Sequence, residues 1–148
     1  AKIIFFSLSE SVAERLRGYA LKGGKVHLSL RSNDLLRIER QIKLPQPTNL
    51  SGEIYSAAMT LLAKNYNWER PLRGAGIRVS ELTPENAPYQ LNMLGEHIKR
   101  ERSEKLERCI QQLRGRFGYW AVARGSVLTD KSLSRAELSD CSLPQAGL

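Results

Sequence analysis

Cationic and polar side chains recur at every second residue in parts of the first half of the chain. Side chains that alternate in this way share one face of a β-strand. Lysine and arginine on such a face can bind a nucleic acid, because each phosphate contact releases condensed counterions. The same pattern would also suit a solvated face that only keeps the protein soluble. The residues are Lys25, His27, Ser29 and Arg31 in one segment, Arg37, Gln41 and Lys43 in the next, and Arg73 and Arg78 in a third.

No group of side chains in the sequence predicts catalysis. The chain has no G-x-x-x-x-G-K-[ST] loop and no G-x-G-x-x-G loop leading from a strand into a helix. No pair of carboxylates follows a strand in a setting that could hold two metal ions. His27 and His97 have no cysteine or acidic neighbour at ligand spacing, and His27 is interpreted as an exposed strand residue. We therefore expect no metal, no cofactor and no enzymatic activity from this chain alone.

The cysteine and apolar content favours a cytoplasmic protein. Cys109 and Cys141 have the spacing of neither a zinc site nor a disulfide framework. Cys109 is expected to be a half-buried small hydrophobe, and Trp68 and Trp120 are expected to pack rather than to stack on bases. No apolar run approaches the ~20 residues that cross a membrane, so no membrane partner is expected.

The net charge of +8 is concentrated in two parts of the chain. Residues 1–82 contain 13 lysines and arginines against 7 acidic residues, and residues 96–118 contain 7 against 4. A basic first domain followed by a basic helix is a distribution expected of a nucleic-acid binder, although many basic proteins bind none.

Three segments have the alternation of β-strands. In "KVHLSLR" every second residue is aliphatic, and the turn "SND" leads into "LLRIERQIKL", which predicts an antiparallel hairpin. Two prolines after Leu44 are predicted to end the second strand, because they remove donors from the ladder. The third strand, "PLRGAGIRVSEL", is interrupted by Gly74 and Gly76, which predict a bulge.

Three further segments have helical periodicity. A helix over "IIFFSLSESVAERLRGYA" is predicted to end before a tight turn at Gly23 and Gly24. A second helix is predicted from Ser51, and a third over residues 96–118. The apolar positions are Phe5, Leu8, Val12 and Leu16; Ile54, Ala58, Leu61 and Leu62; and Ile98, Leu106, Ile110, Leu113 and Phe117.

These elements predict an α+β fold with a small, antiparallel-rich sheet. Two helices would cover one face of the sheet and leave the other bare, and a helical extension would follow. The predicted divisions are a DNA-binding domain over 1–82, a loop over 83–95, a helical extension over 96–133 and a disordered tail over 134–148.

Several motifs resemble the little-finger domain of Y-family lesion-bypass DNA polymerases, the DinB/UmuC group. The family signature P-[LIV]-R-x-[LIV]-G-[VI]-x-[VL]-S-x-L is matched by "PLRGAGIRVSEL" over residues 71–82, with Ala75 where a larger aliphatic residue is usual. "GGKVHLSLR" and "EIYSAAMTLL" are similar to other parts of that domain. "KLERCIQQLRGRFG" resembles the extension found in one bacterial branch.

The resemblance implies a DNA-binding module of a translesion polymerase. Arg73 and Arg78 fall on positions that resemble the phosphate-contacting arginines of the family, and alternation adds Arg31, Arg37 and Lys43. The metal-binding carboxylates of such polymerases lie in a palm domain, which this chain lacks. The family's first strand also has no counterpart before the first helix. A three-stranded sheet would therefore have an unpaired edge open to self-association.

"QLNML" resembles the family's sliding-clamp peptide, usually Q-L-[SD]-L-F. The residues concerned are Gln90, Leu91, Met93 and Leu94, with leucine replacing the final phenylalanine. The resemblance thus implies the bacterial sliding clamp as a partner, besides duplex or primer–template DNA. The alternative is that Leu91 and Leu94, an i, i+3 pair, begin the following helix and pack beneath it.

Other classes of function stay open at this point. The chain could be a protein-interaction or homo-oligomerising domain whose basic face is merely solvated. An RNA-binding domain is less favoured, because the strands lack the exposed aromatic residues on which RNA bases stack.

Overall fold

The structure, a computed structural model, describes residues 2–87 and 96–125. The order of its elements confirms the α+β prediction. They are α1 (Lys2–Gly18), β1 (Leu21–Ser32), β2 (Arg37–Thr48), α2 (Ser51–Asn65), β3 (Leu72–Pro84), α3 (Glu96–Phe117) and a 3-10 turn (Tyr119–Ala121).

The three strands form one antiparallel sheet in the order β2-β1-β3. The helices α1 and α2 pack on one face of it, which leaves the second face without a helix among the described residues. The inward residues of β1, Val26, Leu28 and Leu30, are at most 1% exposed. Strict alternation along the central strand therefore separates a buried face from a polar one, as predicted.

Gly23 and Gly24 do not form the predicted turn, because both lie inside β1. The chain reverses earlier, at Ala20, which has a φ of 53°. Gly23 meets a packing requirement instead. A Cβ atom there would lie 1.9 Å from Cγ1 of Val79 in β3, so only glycine lets the two strands approach this closely.

The second strand continues four residues beyond its predicted end. β2 runs through Pro45 and Pro47 to Thr48. It can do so because β2 is an edge strand, where a missing N–H costs no ladder hydrogen bond. The register shifts between the pairs Lys25–Lys43 and Gly23–Thr48, so a bulge accommodates the prolines.

Helix α3 packs on the domain through polar contacts. Its predicted apolar residues Leu106, Leu113 and Phe117 are 57%, 37% and 69% exposed, whereas Glu107 is buried. Ion pairs join the helix to the rest of the domain: Arg17–Glu107, Lys22–Glu104, Arg100–Glu53, Arg108–Glu85 and Arg114–Glu10.

The expectation that Cys109 is half-buried was wrong. Cys109 is exposed, because α3 turns its polar face towards the domain. Trp68 and Trp120 are 56% and 46% exposed, so neither belongs to the core. Each indole ring instead contacts a neighbouring tyrosine edge-on.

Candidate nucleic-acid interface

The face of the sheet opposite α1 and α2, called the open face below, consists of four rows that each cross all three strands. Each row joins one residue of β2, one of β1 and one of β3. In order along β1, the rows are Lys43–Lys25–Ser80, Gln41–His27–Arg78, Glu39–Ser29–Gly76 and Arg37–Arg31–Gly74. The register thus brings together the polar residues that alternation assigned to three separate strands.

Arg73 lies in an irregularity of β3. The register shifts between the pairs Arg31–Gly74 and Ser32–Leu72, which leaves Arg73 without a Cα partner in β1. Its side chain is exposed. The bulge predicted at the glycines therefore occurs just before them, because Leu72 packs against the core on the other face of the sheet.

Two acidic residues on or beside the open face neutralise two of the predicted cations. Lys25 forms an ion pair of 2.6 Å with Glu81, and Arg37 forms one of 2.6 Å with Glu39. The hydrogen bond from Lys25 lowers the pKa of Glu81. Neither acid was among the site residues predicted from the sequence. Glu39 could have been predicted, because it alternates with Arg37 and Gln41 and so lies on the same face of its strand. The pairing of Glu81 with a lysine depends on how two strands align, which the sequence of neither strand specifies.

Four cations of the predicted site have no carboxylate within 4 Å among the described residues. These unpaired cations are Arg31, Lys43, Arg73 and Arg78. Exposed cations that are not neutralised by neighbours retain their full attraction for an external anion. They are spread over all three strands, so they suit a ligand with several negative charges.

His27 lies in the middle of the open face and is half-buried. Its Nε2 atom is 2.6 Å from Oγ of Ser80. Burial and then the positive charges of Arg78 and Lys25 lower the pKa of His27, and the nearby carboxylates of Glu39 and Glu81 oppose this. The neutral imidazole at pH 7 therefore acts as a hydrogen-bonding group and adds no positive charge.

The described residues offer no metal site. Within 2–87 and 96–125, no cluster of three or more histidine, cysteine or acidic side chains is suited to holding a metal ion. Over the same ranges, no helix combines the length and the apolar character needed to cross a membrane.

The predicted clamp peptide lies outside the described residues. Gln90, Leu91, Met93 and Leu94 fall between Ala87, where the first described range ends, and Glu96, where α3 begins. Clamp binding and packing beneath α3 both stay predictions.

Comparison with known proteins identifies relatives over most of the chain. Residues 1–93 match the impB/mucB/samB family C-terminal domain. The chain is 38% identical over 134 residues to DNA polymerase IV of Acetivibrio thermocellus, covering 90% of this chain and 34% of that protein. It is 32% identical over 134 residues to DNA polymerase IV of Clostridium kluyveri, covering 86% and 33%.

DNA polymerase IV 2 of Bacillus subtilis is 30% identical over 131 residues, covering 86% of this chain and 31% of that protein. The chain therefore spans about a third of the length of the curated relatives that it matches.

Proposed function

Because the chain belongs to the impB/mucB/samB family and corresponds to the C-terminal domain of that family, we propose that it holds duplex DNA for a lesion-bypass DNA polymerase. The observation that carries the proposal is the set of four unpaired cations on and beside the open face. Arg73 and Arg78 are the principal phosphate contacts, and Arg31 and Lys43 extend the site across the sheet. Arg37 contributes less, because Glu39 already neutralises it.

Phosphate contacts suit a polymerase that must copy damaged templates. Such contacts fix the position of a protein on DNA without reading its sequence. Exposed aromatic residues for base stacking are absent from the four described rows, which favours backbone binding over recognition of single-stranded bases. The ligand is therefore duplex or primer–template DNA, bound with little dependence on sequence.

The chemistry of nucleotide addition belongs to another part of the polymerase. The chain spans about a third of its relatives, which are DNA polymerases. The described residues offer no cluster of acidic groups for the metal ions of phosphoryl transfer. We expect this chain to bind DNA in the cytoplasm, as part of DNA damage tolerance, and not to polymerise DNA by itself.

The peptide "QLNML" would provide a second tether, to the sliding clamp. Gln90 would hydrogen-bond in a polar pocket of the clamp, while Leu91, Met93 and Leu94 would fill an apolar one. Each apolar side chain offers ~1.5–3 kcal/mol of burial. Ordering of the peptide offsets much of this, so we expect a dissociation constant in the micromolar range.

Fluorescence anisotropy of a labelled duplex, titrated with the protein at several salt concentrations, tests the DNA contact. If four phosphates are neutralised, log K should fall against log salt with a slope of about −3.6. The Arg73→Ala/Arg78→Ala variant should reduce the steepness of that slope by about 2. Arg40→Ala is the matched control, because Arg40 is exposed but hydrogen-bonds Asn65 of α2 rather than facing the DNA.

Two results would contradict the DNA proposal. One is wild-type binding that does not depend on salt, and the other is an equal loss of affinity in the double variant and in the control. The clamp contact is tested separately, with a labelled peptide over residues 84–96 and a Gln90→Ala/Leu91→Ala control. Equal binding of both peptides to the clamp, or no binding of either, would remove the docking role.

Self-association is a second candidate function, favoured by the outer edge of β3. This strand of 13 residues lies at one side of the sheet, and no described strand pairs with its outer edge. Leu82 near its end is 50% exposed. An unpaired edge is a template for another strand. Sedimentation over a range of protein concentrations, with and without DNA, distinguishes a homo-oligomer from a monomer that binds DNA.

A further inference from the structure

A groove separates α3 from α2 and from the end of β2. Its volume is about 720 Å³, and residues 42–46 of β2 form part of its lining. Arg100 of α3 bridges the three elements here, because it donates hydrogen bonds to the carbonyl oxygen of Pro47 and to the carboxylate of Glu53. A bridge made by one long side chain leaves space that interdigitated side chains would fill. The groove therefore follows from the polar way in which α3 packs on the domain.

Apolar side chains from all three elements line the groove. Leu44 comes from β2, Ala57 from α2 and Leu106 from α3. Leu106 is 57% exposed, so the described part of the domain does not cover it. Removal of such a side chain from water is favourable, which makes the groove a binding place for another apolar group.

The charges in the groove are not balanced. Its two acidic residues, Glu53 and Glu107, each form an ion pair with an arginine. Lys43 and Lys99 also line the groove and are exposed, and among the described residues no carboxylate lies within 4 Å of either. Cations without a neighbouring acid attract an external anion. The groove thus fits a peptide segment that combines an apolar side chain with negative charge.

We propose that the occupant of the groove is a segment of the same chain, residues 136–143, which read "AELSDCSL". The segment contains the acids Glu137 and Asp140, has Leu138 between them, and contains no lysine or arginine. Its two carboxylates match the two unpaired lysines of the groove in number and sign. The segment lies outside the described residues, in a part of the sequence predicted to be a disordered tail. Binding can order a segment that is disordered alone.

The position of Arg124 favours this segment over one from another protein. Arg124 lines the groove, one residue before the second described range ends at Gly125. Residues 126–135 can span up to about 33 Å when extended. Packed helices lie only about 10 Å apart, so the segment can reach the groove. Such a tether gives a local concentration in the millimolar range, and a contact of millimolar affinity therefore fills the groove for about half of the time.

Disulfide trapping in the full chain tests where the segment binds, because Cys141 lies within it. A cysteine is introduced by Ser103→Cys in α3 or by Ser56→Cys in α2, and both positions are exposed and line the groove. Lys105→Cys is the matched control, since Lys105 lies on the same helix but is 75% exposed and is not part of the lining. Every variant also carries Cys109→Ser, so that within one molecule the introduced thiol can pair only with Cys141.

The intramolecular disulfide is measured over time by mass spectrometry of unreduced protein, with oxidised glutathione as the oxidant. We expect at least one groove variant to form this disulfide about 10-fold faster than the control, because docking raises the local concentration of the Cys141 thiol above that of a free tether. The two Cα atoms must come within about 4.4–6.8 Å, so the segment has to enter the groove. The rate should not depend on protein concentration.

Reversal of the charges tests the chemistry of the contact. In the faster groove variant, Lys43→Glu/Lys99→Glu should lower the rate to that of the control, because like charges then oppose docking. The further change Glu137→Lys/Asp140→Lys should restore the fast rate, because opposite charges face each other again. The positions substituted within the described ranges are all exposed, so these variants should fold.

Three results would overturn the inference. Equal rates in the groove variants and in the control would show that the segment does not bind in the groove. A fast rate that rises with protein concentration and yields covalent dimers would assign the groove to a second copy of the chain. Failure of the fourfold charge reversal to restore the rate would show that the acids do not direct the contact. The proposed DNA contact is tested separately, because these measurements contain no DNA.

Discussion

Replacing Glu107 with alanine is predicted to detach α3 from the rest of the domain. The carboxylate of Glu107 accepts hydrogen bonds from the backbone N–H and the Oγ of Ser51, at 3.0 and 2.7 Å, and forms an ion pair with Arg17. Ser51 begins α2, and Leu50 before it provides no side-chain cap. A residue of α3 therefore caps α2 from outside and also complements the positive end of its helix dipole.

The expected loss follows from the burial of the pair. The side chains of Arg17 and Glu107 are each 11% exposed, so solvent screens their interaction only slightly. Removing one partner of a buried pair costs about 3–5 kcal/mol, because the other charge stays buried without compensation. Arg17 retains hydrogen bonds to the carbonyl oxygen of Asn49 and to Gln111, which places the estimate at the lower end, about 3 kcal/mol. Most of this loss should appear as local opening of α3.

Hydrogen exchange measured by mass spectrometry reports that opening directly. A loss of about 3 kcal/mol corresponds to amides of α3 exchanging on the order of 100-fold faster in Glu107→Ala, while those of β1 change little. Glu101→Ala is the control. Glu101 pairs with Lys105 on the exposed side of the same helix, and such a pair contributes at most about 0.5 kcal/mol. Equal exchange of α3 in the two variants would refute this account of how the helix is held.

Two further predictions concern the sheet. Gly23→Ala should lower the urea midpoint, at a cost of about 1–3 kcal/mol, because its Cβ atom would overlap Val79; an unchanged midpoint would show that β3 can shift. The pKa of His27 is lowered in the folded state, so on acidification the unfolded chain takes up a proton at this residue before the folded chain does. Protonation therefore favours unfolding, and His27 lowers the free energy of unfolding as the pH falls below 6.5. His27→Gln should lose less stability than the wild type between about pH 7 and pH 5 in urea titrations, and parallel curves would contradict the assigned shift.

The sequence by itself determined the elements and which residues share a face. The period of two in β1 assigned Lys25, His27, Ser29 and Arg31 to one side of the strand, because successive side chains of a strand must point in opposite directions. The same period placed Val26, Leu28 and Leu30 in the core. These properties belong to the local chain, so they could be predicted without knowledge of its neighbours.

The tertiary structure alone decided which residues meet across the strands. The register pairs Arg78 with His27 and sets Gly74 and Gly76 beside Arg31 and Ser29, and no local pattern fixes that alignment. It also brings Glu81 to Lys25, which reduces the charge available to a ligand.

The packing of helix α3 likewise depends on contacts that only the tertiary structure shows. Three of its apolar positions, Leu106, Leu113 and Phe117, are exposed. The helix is instead held by Glu107, whose partners Arg17 and Ser51 lie 90 and 56 residues earlier in the chain. An ion pair and a helix cap between elements so far apart depend on how those elements meet in space. The periodicity of the sequence contains no information about these contacts, so only the folded structure could reveal them.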